Sequence, residues 1–364
     1  MSHRWGFALF CCILLSATST QAQEKSRWEI YGNARIIHLG STDETHGLGG
    51  ENHISWTRLR YGTHFSIDSN HSFSARLAYL ESVEFEDFRF TLTANDTQRR
   101  RLAPGSATFD EFYYRYNTAR SDLKIGRFQK NFELATNSTR TILRFMSNAI
   151  FVHWTDGILY TRNMKNGWKG EAMLEYQHQD HITYSYKSDL SFQNQVHNVV
   201  LYGFLSENGR DSRNIIQKRV GVIAAPNAYL VNGEFRNYVA LNSSLVYDLP
   251  MRDQLAGGSF RVGAELGQNV ATNLVDGNIM VISGGVNNVA NRHQFMIEFA
   301  RTGAGWLTPT HLRNDADEVE LRYRVFFTKQ FNFDMRYRIR RMRDSSLDQT
   351  LAYSTFLRMT YSFR

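Results

Sequence analysis

Cysteine, proline and long apolar runs are all scarce in this chain. The two cysteines, Cys11 and Cys12, lie within the first 22 residues, and 364 residues include only 4 prolines. The chain beyond residue 22 therefore cannot hold a disulfide or a thiolate zinc site. After residue 22, no stretch reaches the roughly 18 consecutive apolar residues that predict a transmembrane helix. The scarcity of proline favours long, uninterrupted strands.

The first 22 residues have the pattern of a secretory signal peptide. Arg4 supplies a positive charge, Gly6–Ala17 is an apolar run, and Thr20–Ala22 is a small-x-small cleavage site. A run of this length is too short to span a bilayer as a helix. We therefore expect cleavage after Ala22, export from the cytoplasm, and a single domain over residues 23–364.

Motifs for catalysis are also missing. The sequence contains neither Gly-x-Ser-x-Gly nor His-Glu-x-x-His, so we expect no catalytic residues and no cofactor. His178, Asp180, His181 and His197 leave a metal site as an alternative, although scattered histidines near strand ends are more often solvated. The triplet Arg99–Arg101 lacks interleaved aromatic residues, so nucleic acid is not an expected partner.

Long alternation of apolar and polar residues is the main feature that the sequence does contain. In Phe331–Ile339 every second residue is apolar and most of the residues between are charged, and Leu351–Phe363 continues the same period. A period of two is what a pleated strand imposes. The alternation lasts about 9 to 11 residues, which suits a tilted strand that crosses a bilayer.

Similar segments recur along the chain and number about sixteen. Long connections follow the odd-numbered segments, as at 40–53, 81–108 and 129–155, whereas several connections after even-numbered segments, such as 68–71 and 165–167, are short. This sorting is typical of outer-membrane barrels, which have long outer loops and short periplasmic turns. The sequence therefore predicts an all-β fold, a transmembrane antiparallel β-barrel of about 16 strands in the outer membrane of a Gram-negative-type bacterium.

Two consecutive segments resemble a known family. Asp110–Tyr116 followed by Leu123–Phe128 is similar to a strand pair of Gram-negative outer-membrane porins, most nearly the phosphate-selective porin O and P type. The proline and glycine that usually follow this pair in the family are absent from 129–133. The resemblance implies a passive channel for small solutes, a homotrimer in outer-membrane lipid and lipopolysaccharide, and an aromatic signal, Tyr361 and Phe363, for the outer-membrane assembly machinery.

Arginine dominates the predicted lumen wall. Fixed guanidinium charge raises the anion concentration in a pore and repels cations. The alternative is that these arginines pair with residues such as Glu318, Glu320 and Asp334 and only hold the barrel in shape. Residues 316–364 contain ten Lys or Arg against six Asp or Glu, so we expect an anion-preferring channel, with phosphate-like anions among its candidate solutes. The predicted lumen wall consists of Arg58, Arg60, Arg76, Arg322, Arg324, Arg336, Arg338, Arg340 and Arg358.

The connection 129–155 is the third long one, and in the family that it resembles the third outer loop narrows the barrel. It carries Lys130, Arg140 and Arg144 against Glu133. We predict that these four side chains form the pore constriction. A solvated outer loop is the alternative.

Other functions remain open at the level of sequence. The alternation places three aromatic residues on the inward face: Tyr31, Tyr113 and Phe356. A pore for neutral or sugar-like solutes is therefore an alternative. A non-conducting structural or receptor barrel and a barrel enzyme are the alternatives from other classes. The absence of a catalytic motif makes the enzyme the weakest of these hypotheses.

Overall fold

A computed structural model gives the fold. It describes residues 27–43, 50–82, 88–92, 102–130, 132, 134–136, 141–143, 152–165, 167–176, 190, 198–209, 214–251, 255–271, 276–308, 312, 314–343 and 351–364. Within these ranges no helix is long and apolar enough to cross a membrane.

The described residues form one continuous sheet. Sixteen strands each pair antiparallel with both neighbours, and β1 pairs with β17, so the sheet closes into a barrel. The two-residue strand β4 lies outside this ring and pairs parallel with β5. The strands are β1 (Trp28–Asp43), β2 (Gly50–Ser66), β3 (His71–Ser82), β4 (Arg89–Phe90), β5 (Ser106–Asn117), β6 (Ser121–Phe128), β7 (Thr155–Asn163), β8 (Trp168–Tyr176), β9 (Val199–Asn208), β10 (Ile215–Val231), β11 (Glu234–Pro250), β12 (Ser259–Asn269), β13 (Asn278–Val289), β14 (His293–Thr302), β15 (Ala316–Phe326), β16 (Phe331–Met342) and β17 (Leu351–Phe363).

The predicted barrel of about 16 strands is confirmed. The predicted connection 40–53 is shorter in the structure, since β1 extends to Asp43 and β2 begins at Gly50. β10 and β11 extend to Val231 and Glu234 and meet in the tight turn Asn232–Gly233. Both turn residues have positive φ, 52° and 82°. The Asn-Gly pair is a strong signal for a tight hairpin.

Polarity is reversed relative to a soluble protein. Leu321 and Met359 are 48% exposed on the outer wall, whereas Glu320 and Asp334 inside the barrel are fully buried. A wall that is apolar outside and polar inside is the arrangement of a barrel that spans a membrane.

Aromatic side chains gather at the rim that carries the short turns. The ring centroids of Trp28 and Phe65 are 4.5 Å apart, and those of Phe327 and Phe331 are 5.2 Å apart. Such rings sit at the level of lipid headgroups in membrane proteins. The short-turn rim therefore lies at one membrane surface, and the periplasmic side is the one that short turns face in outer-membrane barrels.

Apolar side chains also fill part of the interior. One cluster packs Ile37, Trp56 and Leu80 of β1 to β3 against Trp154. A larger cluster follows β6 to β14 and includes side chains from the connections between strands, such as Phe132 and Trp306. Side chains from the connections therefore pack inside the barrel together with side chains from the strands.

Candidate functional site

The inward face of β15, β16, β17, β1, β2, β3 and β5 forms a continuous arc of the barrel wall, which we term the basic arc. These strands are consecutive around the ring. All nine arginines of the predicted lumen wall lie on it, together with Arg35, which is paired in register with Arg58. Five carboxylates interact with these arginines: Asp110, Glu111, Glu318, Glu320 and Asp334.

Asp334 is the centre of one group in the basic arc. Its carboxylate lies 2.8 Å from Arg336 Nε, 2.8 Å from Arg324 Nη2, 3.0 Å from Arg358 Nη2 and 3.1 Å from Arg322 Nε. β16 carries both Asp334 and Arg336, while the other three arginines come from β15 and β17 on either side. One negative charge therefore holds four guanidinium groups, and positive charge remains in excess.

Asp110 is the centre of a second group. Its carboxylate lies 2.6 Å from Arg60 Nε and 2.9 Å from Arg76 Nε, while Arg76 Nη2 also lies 2.8 Å from Glu111. Gln129 Nε2 donates a hydrogen bond of 3.1 Å to the same Asp110. Two carboxylates and two arginines are in balance here.

A β-bulge explains how two consecutive acidic residues reach the same interior. The register of β3 and β5 shifts between Arg76 and Leu77, so Arg76 faces Glu111 and Leu77 faces Phe109. The extra residue, Asp110, is buried, and both carboxylates contact Arg76 inside the barrel. A strict period of two places only Glu111 in the lumen, so the alternation did not reveal Asp110.

Nearer the long-loop rim, charge is balanced pair by pair. Arg338 Nη2 lies 2.7 Å from Glu320, and Arg340 Nε lies 2.8 Å from Glu318. At these two positions the geometry agrees with the alternative in which lumen charges pair across strands. The excess of arginine over carboxylate is therefore concentrated around Asp334.

The third long connection contacts two walls: Val152 and Trp154 pack against β1 to β3, whereas the described residues between 132 and 143 pack against the opposite wall. Phe132, Leu134, Ile142 and Leu143 are buried inside the barrel. Counted around the ring, β8 to β12 lie across from β1, the middle of the basic arc. The described residues between 132 and 143 therefore narrow the interior from the side opposite the arginines.

Hydrogen bonds with β10 and β12 hold the described residues between 132 and 141 to the wall. Arg219 Nη1 donates a hydrogen bond of 3.0 Å to the backbone carbonyl of Phe132. Arg261 Nη1 donates one of 3.0 Å to the backbone carbonyl of Ala135. The Ala135 N–H donates to Gln217 Oε1 over 2.8 Å. The hydroxyl of Thr141 donates to Glu265 over 2.6 Å.

Among the four predicted constriction residues, only Lys130 is described. Its ammonium contacts Glu171 of β8. Burial lowers the pKa of Lys130, and the negative charge of Glu171 opposes that change. Glu133, Arg140 and Arg144 lie outside the described residues, so their part in a constriction stays a prediction.

A cavity of about 320 Å³ opens inside the barrel near the short-turn rim. Tyr31, Tyr113, His64 and Ser74 contribute to its wall. Its charged groups are paired: Glu29 with Arg364 at 2.9 Å, Glu111 with Arg76, and Arg115 with Asp122 at 2.8 Å. We term this cavity the vestibule.

The two residues of the predicted assembly signal lie at the end of β17. Tyr361 is exposed on the outer wall, and the ring centroid of Phe363 lies 6.3 Å from that of Tyr61 on β2. Their recognition by assembly machinery stays a prediction.

Metal ligands do not gather in the part of the chain that the structure describes, where no group of three His, Cys, Asp or Glu could hold an ion. His178, Asp180, His181 and His197 lie outside that part.

Comparisons with known proteins give the fold family. No protein-family model matches the sequence, and no curated protein matches it. Among solved structures, OprB of Pseudomonas putida has a TM-score of 0.61 and 10% identity, covering 92% of this chain and 94% of its own. OccK2 (OpdF) of Pseudomonas aeruginosa, solved with glucuronate, has a TM-score of 0.55, 11% identity and coverage of 92% and 96%. An anion-selective porin from Comamonas acidovorans has a TM-score of 0.55, 9% identity and coverage of 92% and 99%.

At identities this low, the likeness shows the fold alone. The chain is a membrane-spanning barrel with the fold of Gram-negative outer-membrane porins. The coarser part of the predicted resemblance is thereby confirmed, while the phosphate-selective O and P type stays a proposal.

Proposed function

We propose that this barrel is a passive outer-membrane channel for small hydrophilic solutes and that it prefers anions. The observation that supports this proposal is the basic arc, where four arginines surround the single carboxylate of Asp334. Guanidinium groups remain charged at any physiological pH, so their field does not depend on protonation. A wall of fixed positive charge lowers the entry barrier for anions and raises it for cations.

The geometry also supports a size limit. The described residues 132, 134–136 and 141–143 of the third long connection lie opposite the basic arc, which supports a path for solutes between them and the row of arginines. Lys130, Glu133, Arg140 and Arg144 are the residues that we propose for the narrowest part. Phosphate-like anions are the proposed solutes, and a homotrimer in contact with lipopolysaccharide is the proposed assembly.

Reversal potentials in planar bilayers test the anion preference. The purified barrel, under a salt gradient, should give a reversal potential of the sign expected for anions. Arg324→Gln should lower the anion-to-cation permeability ratio by roughly two- to fivefold, because one partly exposed lumen charge is lost. The matched control is Arg301→Gln, whose side chain lies on the outer wall and is 55% exposed. A cation-selective reversal potential would refute the anion preference, and absence of conductance would refute the channel.

The vestibule supports a second candidate, a pore for neutral sugar-like solutes. Its charges are mutually paired and it presents two tyrosine rings, which suits a polyhydroxylated solute without charge. Liposome swelling with glucose and with gluconate separates the two candidates. Faster swelling with gluconate supports the anion channel, and faster swelling with glucose supports the sugar pore.

A further inference from the structure

The outer wall carries an apolar groove across β7 to β11, with a volume of about 610 Å³. Its floor consists of small residues: Gly170 and Ala172 of β8 and Gly203 of β9. Ala172 and Gly203 are directly paired in register. Larger outward side chains, Tyr160 and Leu205 among them, stand around this floor. We term this feature the outer groove.

The outer groove rises from the short-turn rim toward the middle of the wall. Arg162, Gly170, Leu205 and Val220 form one row of register partners across β7 to β10. Arg162 lies one residue from the end of β7, and Gly170 lies two residues from the start of β8. Leu205 lies three residues from the end of β9, and Val220 lies five residues from the start of β10. All four of these strand ends are at the short-turn rim. Each step across the sheet therefore moves the groove further from the rim.

The dimensions suit a single acyl chain. The groove crosses five strands, and with about 4.8 Å between neighbouring strands its length is roughly 19 Å. It starts at the level of the lipid headgroups and ends within the hydrocarbon layer. A linear apolar ligand with a polar group at one end fits this path.

The end at the rim is positively charged. Arg162 contributes to the groove, and Lys165 lies exposed in the turn that follows β7. The neighbouring carboxylate Glu207 of β9 is already paired with Lys218 at 3.0 Å. Trp168, at the start of β8, adds an aromatic ring at the same level, where indole rings favour the membrane interface. An anionic group at this end is therefore favoured.

We propose that the outer groove binds one glycerophospholipid from the periplasmic leaflet. Arg162 and Lys165 bind its phosphate, and an acyl chain lies over Gly170, Ala172 and Gly203 toward the middle of the bilayer. This site lies on the outside of the barrel and is independent of what passes through the lumen.

Native mass spectrometry of the delipidated, detergent-purified barrel tests this proposal, with phosphatidylglycerol and a diacylglycerol of the same acyl chains as probes. Phosphatidylglycerol should bind at one molecule per chain and more tightly than diacylglycerol. Arg162→Gln should weaken phosphatidylglycerol binding roughly fivefold, since one interfacial cation is lost. The matched control, Arg292→Gln in the exposed β13–β14 turn at the same rim, should leave binding unchanged.

Filling the groove tests the acyl chain. Ala172→Leu should weaken binding roughly tenfold, because it blocks the space of about two methylene groups. Ala264→Leu on β12, also outward-facing but away from the groove, should change binding less than twofold. Heat-dependent migration on gels checks that both variants fold. If Ala172→Leu does not fold, Ala172→Val takes its place.

Three results would overturn the proposal. Equal binding of diacylglycerol and phosphatidylglycerol would remove the role of the phosphate. Equal effects of Ala172→Leu and Ala264→Leu would remove the role of the groove. A loss of oligomeric mass on Ala172→Leu, measured by sedimentation, would show that a second copy of the chain covers this surface.

Discussion

At the scale of single residues, two buried aspartates organise the interior charge in different ways. Asp110 is balanced, since it and Glu111 together face Arg60 and Arg76. Asp334 is outnumbered by four arginines. The charge network around Asp110 on β5 is therefore neutral, whereas the network around Asp334 on β16 has a net positive charge. The positive network is the better candidate for attracting anions.

Replacing Asp334 tests whether one carboxylate holds the arginines together. Asp334→Asn should destabilise the barrel by about 3–5 kcal/mol, because it leaves buried guanidinium groups without their common counter-charge. The expected readouts are a lower urea midpoint in liposomes and, in the protein that still folds, a shift of the reversal potential toward anions.

The control for Asp334→Asn is Asp317→Asn. Asp317 lies 3.7 Å from Arg301 on the outer wall, where the two side chains are 30% and 55% exposed, so its loss should cost less than about 1 kcal/mol. Equal destabilisation by the two substitutions would contradict a special role for Asp334.

At the scale of elements, the third long connection depends on a glycine in the wall beneath it. A Cβ added to Gly263 of β12 would lie only 2.5 Å from Thr136 Cγ2. The same stretch of the connection is held by Arg261 and Gln217, which bond to the backbone of Ala135. The connection therefore approaches β12 so closely that no side chain fits between them.

Gly263→Val should push residues 134–136 away from the wall and weaken those hydrogen bonds. The expected cost is about 1–3 kcal/mol, as for overpacking elsewhere. Open-channel current noise in single-channel recordings should rise, because the displaced connection moves within the lumen.

Gly284→Val is the matched control. Gly284 lies on the outer face of β13, where an added Cβ would meet only the Phe260 ring at an ordinary 3.7 Å. Similar current noise in the two variants would show that contact with β12 does not position the connection.

The sequence predicted the strands better than their connections, for a physical reason. Each strand of the barrel repeats one apolar and one polar face, so the period of two is visible in β16 and β17 without knowledge of their neighbours. A bulge such as the one at Asp110 depends on pairing with β3, and the contacts of Phe132 or Thr141 depend on strands far along the chain. Neither leaves a local pattern.

At the scale of the whole molecule, the reversed polarity of the wall defines the environment. Apolar side chains are exposed around the barrel while arginine and carboxylate groups are buried within it. In water this surface would expose a large apolar area, whereas in a bilayer it meets hydrocarbon. The cost of a charge on the outer wall should therefore vary with its depth in the membrane.

Leu321→Arg and Leu249→Arg test this depth dependence with one type of substitution. Both leucines are exposed on the outer wall, but Leu321 lies in the middle of β15 and Leu249 lies one residue from the end of β11. The first should cost about 2–4 kcal/mol and the second about 0–1 kcal/mol, since an arginine near the interface reaches water and headgroups. Urea unfolding in liposomes measures both. Equal costs would mean that the bilayer does not surround the barrel at the height that its aromatic rim indicates.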